Sequence, residues 1–479
     1  MSPRFDLSAP VPPARDLGPV HFVGVGGVGM SGIARILLAR GVPVSGSDAK
    51  DLPVLAALRA LGGDVATGFD PARVARARTV VASSAIRDDN VELVEARRRG
   101  LTVLHRSQAL HAVMQGRRGV AVAGTNGKTT TSSMLTVVLQ HAGWDPSFAI
   151  GGDLATAGTN AHDGTGEVFV AEADESDASF LVYRPELSVV TNVQPDHLDH
   201  YGTAAAVEAA FAEFSRRIVG DGVLVTCLDD PGAARLADLA RSEGRRVLSY
   251  GEHQDADVRL TDVTPRGGRV ALTVVDRGRR VGDALLRVPG HHNALNAGAA
   301  YAAAVTLGVA PAVALEGLEA YAGTRRRFEP RGGAGGVRVY DDYAHNPAKV
   351  AAAVATGRTV ADGGRLVVVF QPHLYSRTLD FADEFGAALS GADEVVVMDV
   401  YAAREDPVAG VTGELVARAV DLPPGHVRYV PSWSAVAGEV ARLVQPGDVV
   451  LTVGAGDVTM IGPEVLALLD QDREREHTA

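Results

Sequence analysis

The chain has 479 residues, more than one ordinary core uses at roughly 100–200 residues per domain, so two to four domains are expected. With 46% hydrophobic and 22% charged residues it can fill such cores, which excludes long disorder. A formal net charge of −12 excludes a chain that as a whole draws nucleic acid or an anionic membrane, so any anionic ligand must be held locally.

Residues 1–18 form an N-terminal arm. Five prolines between Pro3 and Pro19 predict an extended, flexible segment, and no apolar run marks a secretion signal. Nowhere does the chain hold about eighteen uninterrupted apolar residues, so no membrane span is expected. The single cysteine, Cys227, has no internal partner, which fits a reducing, cytoplasmic setting.

Short apolar runs then recur, each ending in Gly, Asp, Asn or His. They are VHFVGVGG (20–27), TVVASSA (79–85), GVAVAGT (119–125), EVFVAEADES (167–176), LSVVTNVQPDH (187–197), GVLVT (222–226), RLVVVFQPH (365–373), EVVVMDV (394–400) and DVVLTVGAG (448–456). Such runs fit strands buried on both faces, and helical stretches alternate with them. That is an α/β pattern with parallel sheets, whose ligands sit beyond the carboxyl ends of the strands. The stretch 252–285 alternates apolar and polar residues and reads as antiparallel strands. QGRRG (115–119) and TRRRFEPRGGAGG (324–336) are candidate boundaries.

The first run opens into Gly24-Val25-Gly26-Gly27-Val28-Gly29 before a helix, a turn that lets a diphosphate approach a helix N-terminus. Asp48, 19 residues past Gly29 (48 − 29), is placed to meet a ribose hydroxyl. An empty tight turn and a nicotinamide or flavin site are the rival readings. The third run opens into Gly124-Thr125-Asn126-Gly127-Lys128-Thr129-Thr130, where backbone amides would cradle phosphates. Lys128 would neutralise the β- and γ-phosphates and Thr129 would ligate magnesium; Val122 departs from a strict Walker loop. The acidic Glu172-Ala-Asp174-Glu175-Ser-Asp177 ends the next strand, with Glu172 the preferred magnesium ligand. Next comes Asn192-Val-Gln-Pro-Asp-His197, whose imidazole is a second metal ligand or a structural histidine. His292, Asn293 and Asn296 open an Ala-rich helix, either as nucleotide contacts or as a cap. DDYAHNP (341–347) and QPHLYSRT (371–378) offer His345, His373 and Arg377, the last suited to holding a carboxylate.

From Val20 to Pro463 these strings, in order, resemble the Mur ligases. VGVGGVGMSGIA, AGTNGKTT, EADESDASFL, TNVQPDHLD, HNALNA, TRRRFE, DDYAHNP, QPHLYSRT, DVYAAREDPVAGVTG and VGAGD carry the likeness, QPHLYSRT and DVYAAREDP being the most discriminating. The resemblance implies three α/β domains: an N-terminal Rossmann-like one (19–116) for the UDP part of a substrate, a central ATPase (117–326), and a C-terminal Rossmann-like one (327–479) for an amino acid. It implies an ATP-dependent amide-bond-forming ligase of peptidoglycan synthesis, acting through an acyl phosphate with two Mg2+ ions. Its substrates would be UDP-N-acetylmuramate and L-alanine, and the protein a monomer or weak homodimer.

Carried over by residue, Gly26, Gly27, Val28, Gly29, Ser47, Asp48, Ser83, Ser84 and Arg106 would bind the UDP substrate. Gly124, Thr125, Asn126, Gly127, Lys128, Thr129, Thr130, Asn293 and Asn296 would bind ATP. Thr129 and Glu172 would ligate one magnesium ion, Glu172 and His197 the second. Tyr343, His345 and Arg377 would face the amino acid, and Lys128, His345 and Arg377 would be catalytic. Lys128→Ala is expected to abolish turnover with normal melting. The chain departs from the family pattern at Asn126 and Asn346, usually His, and at His291, Gln194 and Gln108. These departures admit a paralogue using another amino acid or a peptide, and a silent sugar-nucleotide binder is a further alternative.

Overall fold

The computed structural model describes residues 5–403 and 405–478. Residues 1–4 of the arm, Arg404 of the DVYAAREDP string and Ala479 lie outside the described residues. Three sheets are present, one for each α/β domain.

The first sheet holds Val20–Val23, Val44–Asp48, Asp64–Thr67, Thr79–Ala82 and Thr102–His105, all parallel, in the order 3-2-1-4-5. The central run Val20–Val23 is buried throughout, as a strand covered on both faces must be. The order reverses beside this strand, and Gly24–Gly29 leaves from its carboxyl end there. Register aligns Val23 with Ser47 and Ala82, and Ala82 with His105. Asp48, Ser83 and Arg106 therefore leave their strands in one row. Residues of the arm lie against this domain: Gln108 Nε2 donates to the Asp6 carbonyl (2.8 Å), Gln115 Nε2 to that of Val11 (2.8 Å), and Leu17 is buried. The arm expected to be flexible is thus tethered over its described part.

The second sheet has ten strands, in the order 10-9-8-7-6-5-1-4-2-3 counted from Arg118–Ala123. Its first strand lies between Val168–Glu172 and Leu187–Val190, parallel to both. Ala123 faces Val190, and Val122 faces Glu172, so three loops start side by side. Val258–Arg266, Arg269–Asp276 and Arg279–Leu286 follow one another through Gly267-Gly268 and Arg277-Gly278. Both turn residues have positive φ in each case, the geometry of two-residue reversals between antiparallel strands.

The third sheet runs 1-2-6-3-4-5 from Glu329–Ala334, parallel except for its first pair. Leu366, Val368 and Phe370 enter one apolar cluster and Val367 and Val369 another, the alternation of a strand sandwiched between helix layers. Asp342 and Phe370 both align with Val453, and Phe370 with Val397.

The chain divides into two compact units. One takes the chain as far as Asp262 with Leu272–Ala284 and Leu295–Ala322; the other takes Val263–Ala271, Leu285–Ala294 and the chain from Gly323. Among the described residues no helix is long and apolar enough to cross a membrane.

Candidate active site

In the first unit the phosphate loop is fixed from both sides. Gly124 has φ +131°, and a side chain there would strike Thr191, whose backbone nitrogen lies 3.0 Å from the Cβ position. Gly127, at φ +84°, starts the helix Lys128–His141, and a Cβ on it would strike the Asn296 amide. Only glycine meets both conditions. Asn192 accepts from Asn126 N (2.8 Å) and donates to Asn126 O (3.1 Å), stitching the loop to the neighbouring strand end. Thr125 Oγ1 accepts from Gln194 N (3.0 Å) and donates to Gln194 O (3.2 Å).

Lys128 Nζ lies 2.8 Å from Glu175 Oε2 and 2.7 Å from the Gly124 carbonyl. Glu175 is buried, with 2% of its side-chain surface exposed, and Lys128 is mostly covered, with 13% exposed. Burial works against the ammonium, but Glu175, Asp174 and Glu172 outweigh it and hold its pKa above the ordinary lysine value. Burial, with Asp174 adding to it, pushes the Glu175 carboxyl up against the pull of Lys128. Three carboxylates surround one ammonium, so the proton that stays is the one on Lys128. The pairing argues against the expectation that Lys128→Ala melts normally, because the substitution would strand a buried carboxylate.

Thr129 Oγ1 donates to Glu172 (2.9 Å to Oε2), which also accepts from Gly151 N (2.7 Å). A hydroxyl beside a carboxylate is the hard-oxygen donor set that magnesium takes together with phosphate oxygens, so these residues fit that ion. His197 Nε2 lies 3.9 Å from Glu175 Oε1 and from Asp196 Oδ2. Among the described residues no group of three or more His, Cys, Asp and Glu is gathered closely enough to hold a metal by itself. Asn296 accepts from Thr131 Oγ1 (3.3 Å), within the phosphate-loop cluster. Asn293, in the other unit, is buried and donates to the Pro289 carbonyl (2.6 Å).

Around the first glycine loop the predicted residues divide. Asp48 Oδ2 accepts from Gly26 N (2.8 Å), so the carboxylate expected at a ribose braces the loop itself. Ser47 is fully buried and donates to Glu92, which does not present it to a ligand. Arg106 lies against Gly29, where a Cβ would be 2.9 Å from its Nη1, and donates through Nη2 to Asp174 Oδ2 (3.0 Å). Burial opposes the Arg106 charge, and Asp174, Tyr183 and Asp177 together outweigh it and raise its pKa. Ser84 donates to Asp177, which lies 3.5 Å from His105 Nε2. The acidic string is thus an ion-paired seam between the glycine-loop domain and the phosphate-loop domain. Sequence reasoning singled out Glu172 in it and missed the partners of Asp174, Glu175 and Asp177; their crowding at a strand end was the available signal.

In the second unit the strand-end row brings Tyr343, His345 and Arg377 together. His345 Nδ1 lies 2.9 Å from the Tyr343 carbonyl. A carbonyl only accepts, so Nδ1 carries the hydrogen and Nε2 keeps its lone pair. Burial first, then Lys349, Arg377 and His373, hold His345 well below the ordinary histidine pKa. Arg377 Nη1 donates to the His345 carbonyl (3.2 Å), and the His345 and His373 rings are 5.9 Å apart. Asn346 caps the helix Pro347–Ala361 by accepting from Lys349 N (2.9 Å), which gives that departure a structural role.

Three regions match family models: residues 19–118 the Mur ligase family catalytic domain, 122–304 the Mur ligase middle domain, and 326–456 the Mur ligase glutamate ligase domain. A UDP-N-acetylmuramate–L-alanine ligase of Kineococcus radiotolerans is 60% identical over 95% of this chain and 96% of its own. One of Saccharopolyspora erythraea is 57% identical over 95% and 94%. Among solved structures, the UDP-N-acetylmuramate–alanine ligase of Thermotoga maritima superposes with a TM-score of 0.79 at 29% identity, covering 95% of this chain and 99% of that one.

Proposed function

The chain belongs to the Mur ligase family, and we propose that it joins L-alanine to the carboxylate of UDP-N-acetylmuramate with cleavage of ATP, in peptidoglycan precursor synthesis. The observation that carries this reading is the row of strand-end loops that sets Lys128 among Glu172, Asp174 and Glu175, in a chain so similar to ligases named for that reaction. Residues 19–116 would bind the UDP part, 117–326 ATP, and 327–479 the amino acid.

A carboxylate is a poor acyl donor, because its leaving group would be oxide. In the first step its oxygen attacks the γ-phosphorus, ADP leaves, and an acyl phosphate forms. Lys128 stabilises the charge that develops on the phosphoryl oxygens. Magnesium, when bound, would neutralise phosphate charge, with Thr129 and Glu172 holding one ion and Glu172 and His197 a second. In the second step the neutral amine attacks the acyl carbon. The tetrahedral intermediate expels phosphate and leaves an amide. The amine's proton passes to His345 Nε2, which is free to take it because burial and its cationic neighbours keep the ring neutral. Arg377 would hold the amino acid's carboxylate.

The test is phosphate release from ATP with purified protein, magnesium and UDP-N-acetylmuramate across a panel of amino acids. Release that requires both the sugar nucleotide and L-alanine is expected. Release with another amino acid or a peptide would replace the acceptor, and none at all would refute the reading.

A further inference from the structure

We infer that Asp230, which lies outside the phosphate loop, is a positioning residue that sets the direction of the Asn126 amide in that loop; this rests on the reading of Gly124–Thr130 as the ATP site. Asp230 is 8% exposed and caps the helix Pro231–Ser242. Its Oδ1 accepts from Val193 N (2.9 Å) and Ala233 N (2.8 Å), and its Oδ2 from Gln194 Nε2 (3.0 Å). A carboxylate has no hydrogen to give, so Gln194 must turn its amino group toward it. The Gln194 Oε1 is then left to accept, and it takes Asn126 Nδ2 at 3.2 Å. Asn126 must therefore aim its Oδ1 away from Gln194. That oxygen is buried and, among the described residues, has no hydrogen-bond partner.

One anion thus fixes two neutral amides in series. The loop presents an acceptor at Asn126 Oδ1, so whatever meets that atom in the nucleotide complex must be an N–H or O–H donor. Were both amides reversed, the loop would present an amino group there instead. A buried acceptor left without its donor is disfavoured, so the complex that supplies one is favoured over the free protein. DPG (230–232) is the start of that helix, an acid before proline, so the same carboxylate caps the helix and orients Gln194.

Asp230→Asn tests this with a side chain of the same shape. The new amide's orientation is dictated, because two backbone N–H groups require its oxygen, so its amino group must face Gln194. Gln194 then reverses, and Asn126 with it. The dissociation constant for ADP, measured by calorimetry on the full chain, should rise about threefold to tenfold, the worth of one hydrogen bond. In Asp230→Asn/Gln194→Glu, the carboxylate at 194 accepts from both neighbours and restores the original direction. ADP affinity should return to within about twofold of the starting protein. The inference is overturned if Asp230→Asn binds ADP normally, or if the double variant stays as weak as the single one. A folding defect would not be repaired at position 194, because the cap residue is the same in both variants. Failure of the unaltered protein to bind ADP would instead refute the ATP-site reading, and this inference with it.

Discussion

Replacing Lys128 with methionine removes the ammonium 2.8 Å from Glu175 and leaves a carboxylate with 2% of its surface exposed. Breaking one side of a buried pair costs about 3–5 kcal/mol. For a domain of about 200 residues, at roughly 2–4 °C per kcal/mol, the melting temperature should fall by about 10 °C at pH 8. Burial already raises the Glu175 pKa, and losing Lys128 raises it further. A carboxyl whose folded pKa lies above its unfolded one contributes stability below the unfolded value and loses it as pH rises through the folded value. The deficit should therefore be largest at pH 8 and shrink toward pH 5. Lys128→Met/Glu175→Gln removes both charges and should recover most of the loss, though not turnover. Thermal unfolding of the ligand-free proteins at the two pH values decides the matter. A single variant melting within about 1 °C of the parent at pH 8, or a double variant no better than the single, would refute the pairing argument.

Gly124→Ala forces a Cβ into Thr191 at φ +131°, so ADP binding measured by calorimetry should be lost; near-normal affinity would mean the loop is not held as described. Arg106→Ala removes the contact at Gly29 and the bond to Asp174. The dissociation constant for UDP-N-acetylmuramate should rise about tenfold, with ADP affinity changing less than about threefold; an equal loss for both would reject its assignment to the sugar nucleotide. His345 has a lowered folded pKa, so the stability it contributes is present above about pH 6.5 and falls as pH drops below that. Turnover at saturating L-alanine should show no acid limb near pH 6.5 due to this ring; one that disappears in His345→Gln would show that the ring is not held neutral.

The runs of Val, Ile and Leu made the strands legible, because a strand covered on both faces has no polar positions to disguise it. Strand order follows from pairing across long separations, which local pattern does not encode. Yet polar residues at strand ends were enough to place Gly124–Thr130 and Glu172 correctly beside each other. What local pattern hid was the partnering of charges. Asp48 looked like a ribose ligand and instead braces Gly26. Ser47 looked available and is buried against Glu92. Lys128 looked like a purely catalytic cation, and the structure pairs it with a buried carboxylate. Each of these depends on which distant side chain arrives, and that is a property of packing.

The strand that carries the phosphate loop, Arg118–Ala123, is walled by Val168–Glu172 and Leu187–Val190, both of which come later in the chain. During synthesis the loop therefore emerges long before its scaffold. From Gly124 to Gln194 is 70 residues (194 − 124), several seconds of elongation at about 5–20 residues per second. Through that interval the preceding domain can already close its own five strands, all of which end by His105. The nascent chain would thus complete its first domain before Asn192 and Gln194, which hold the Gly124–Thr130 loop in place, had left the ribosome.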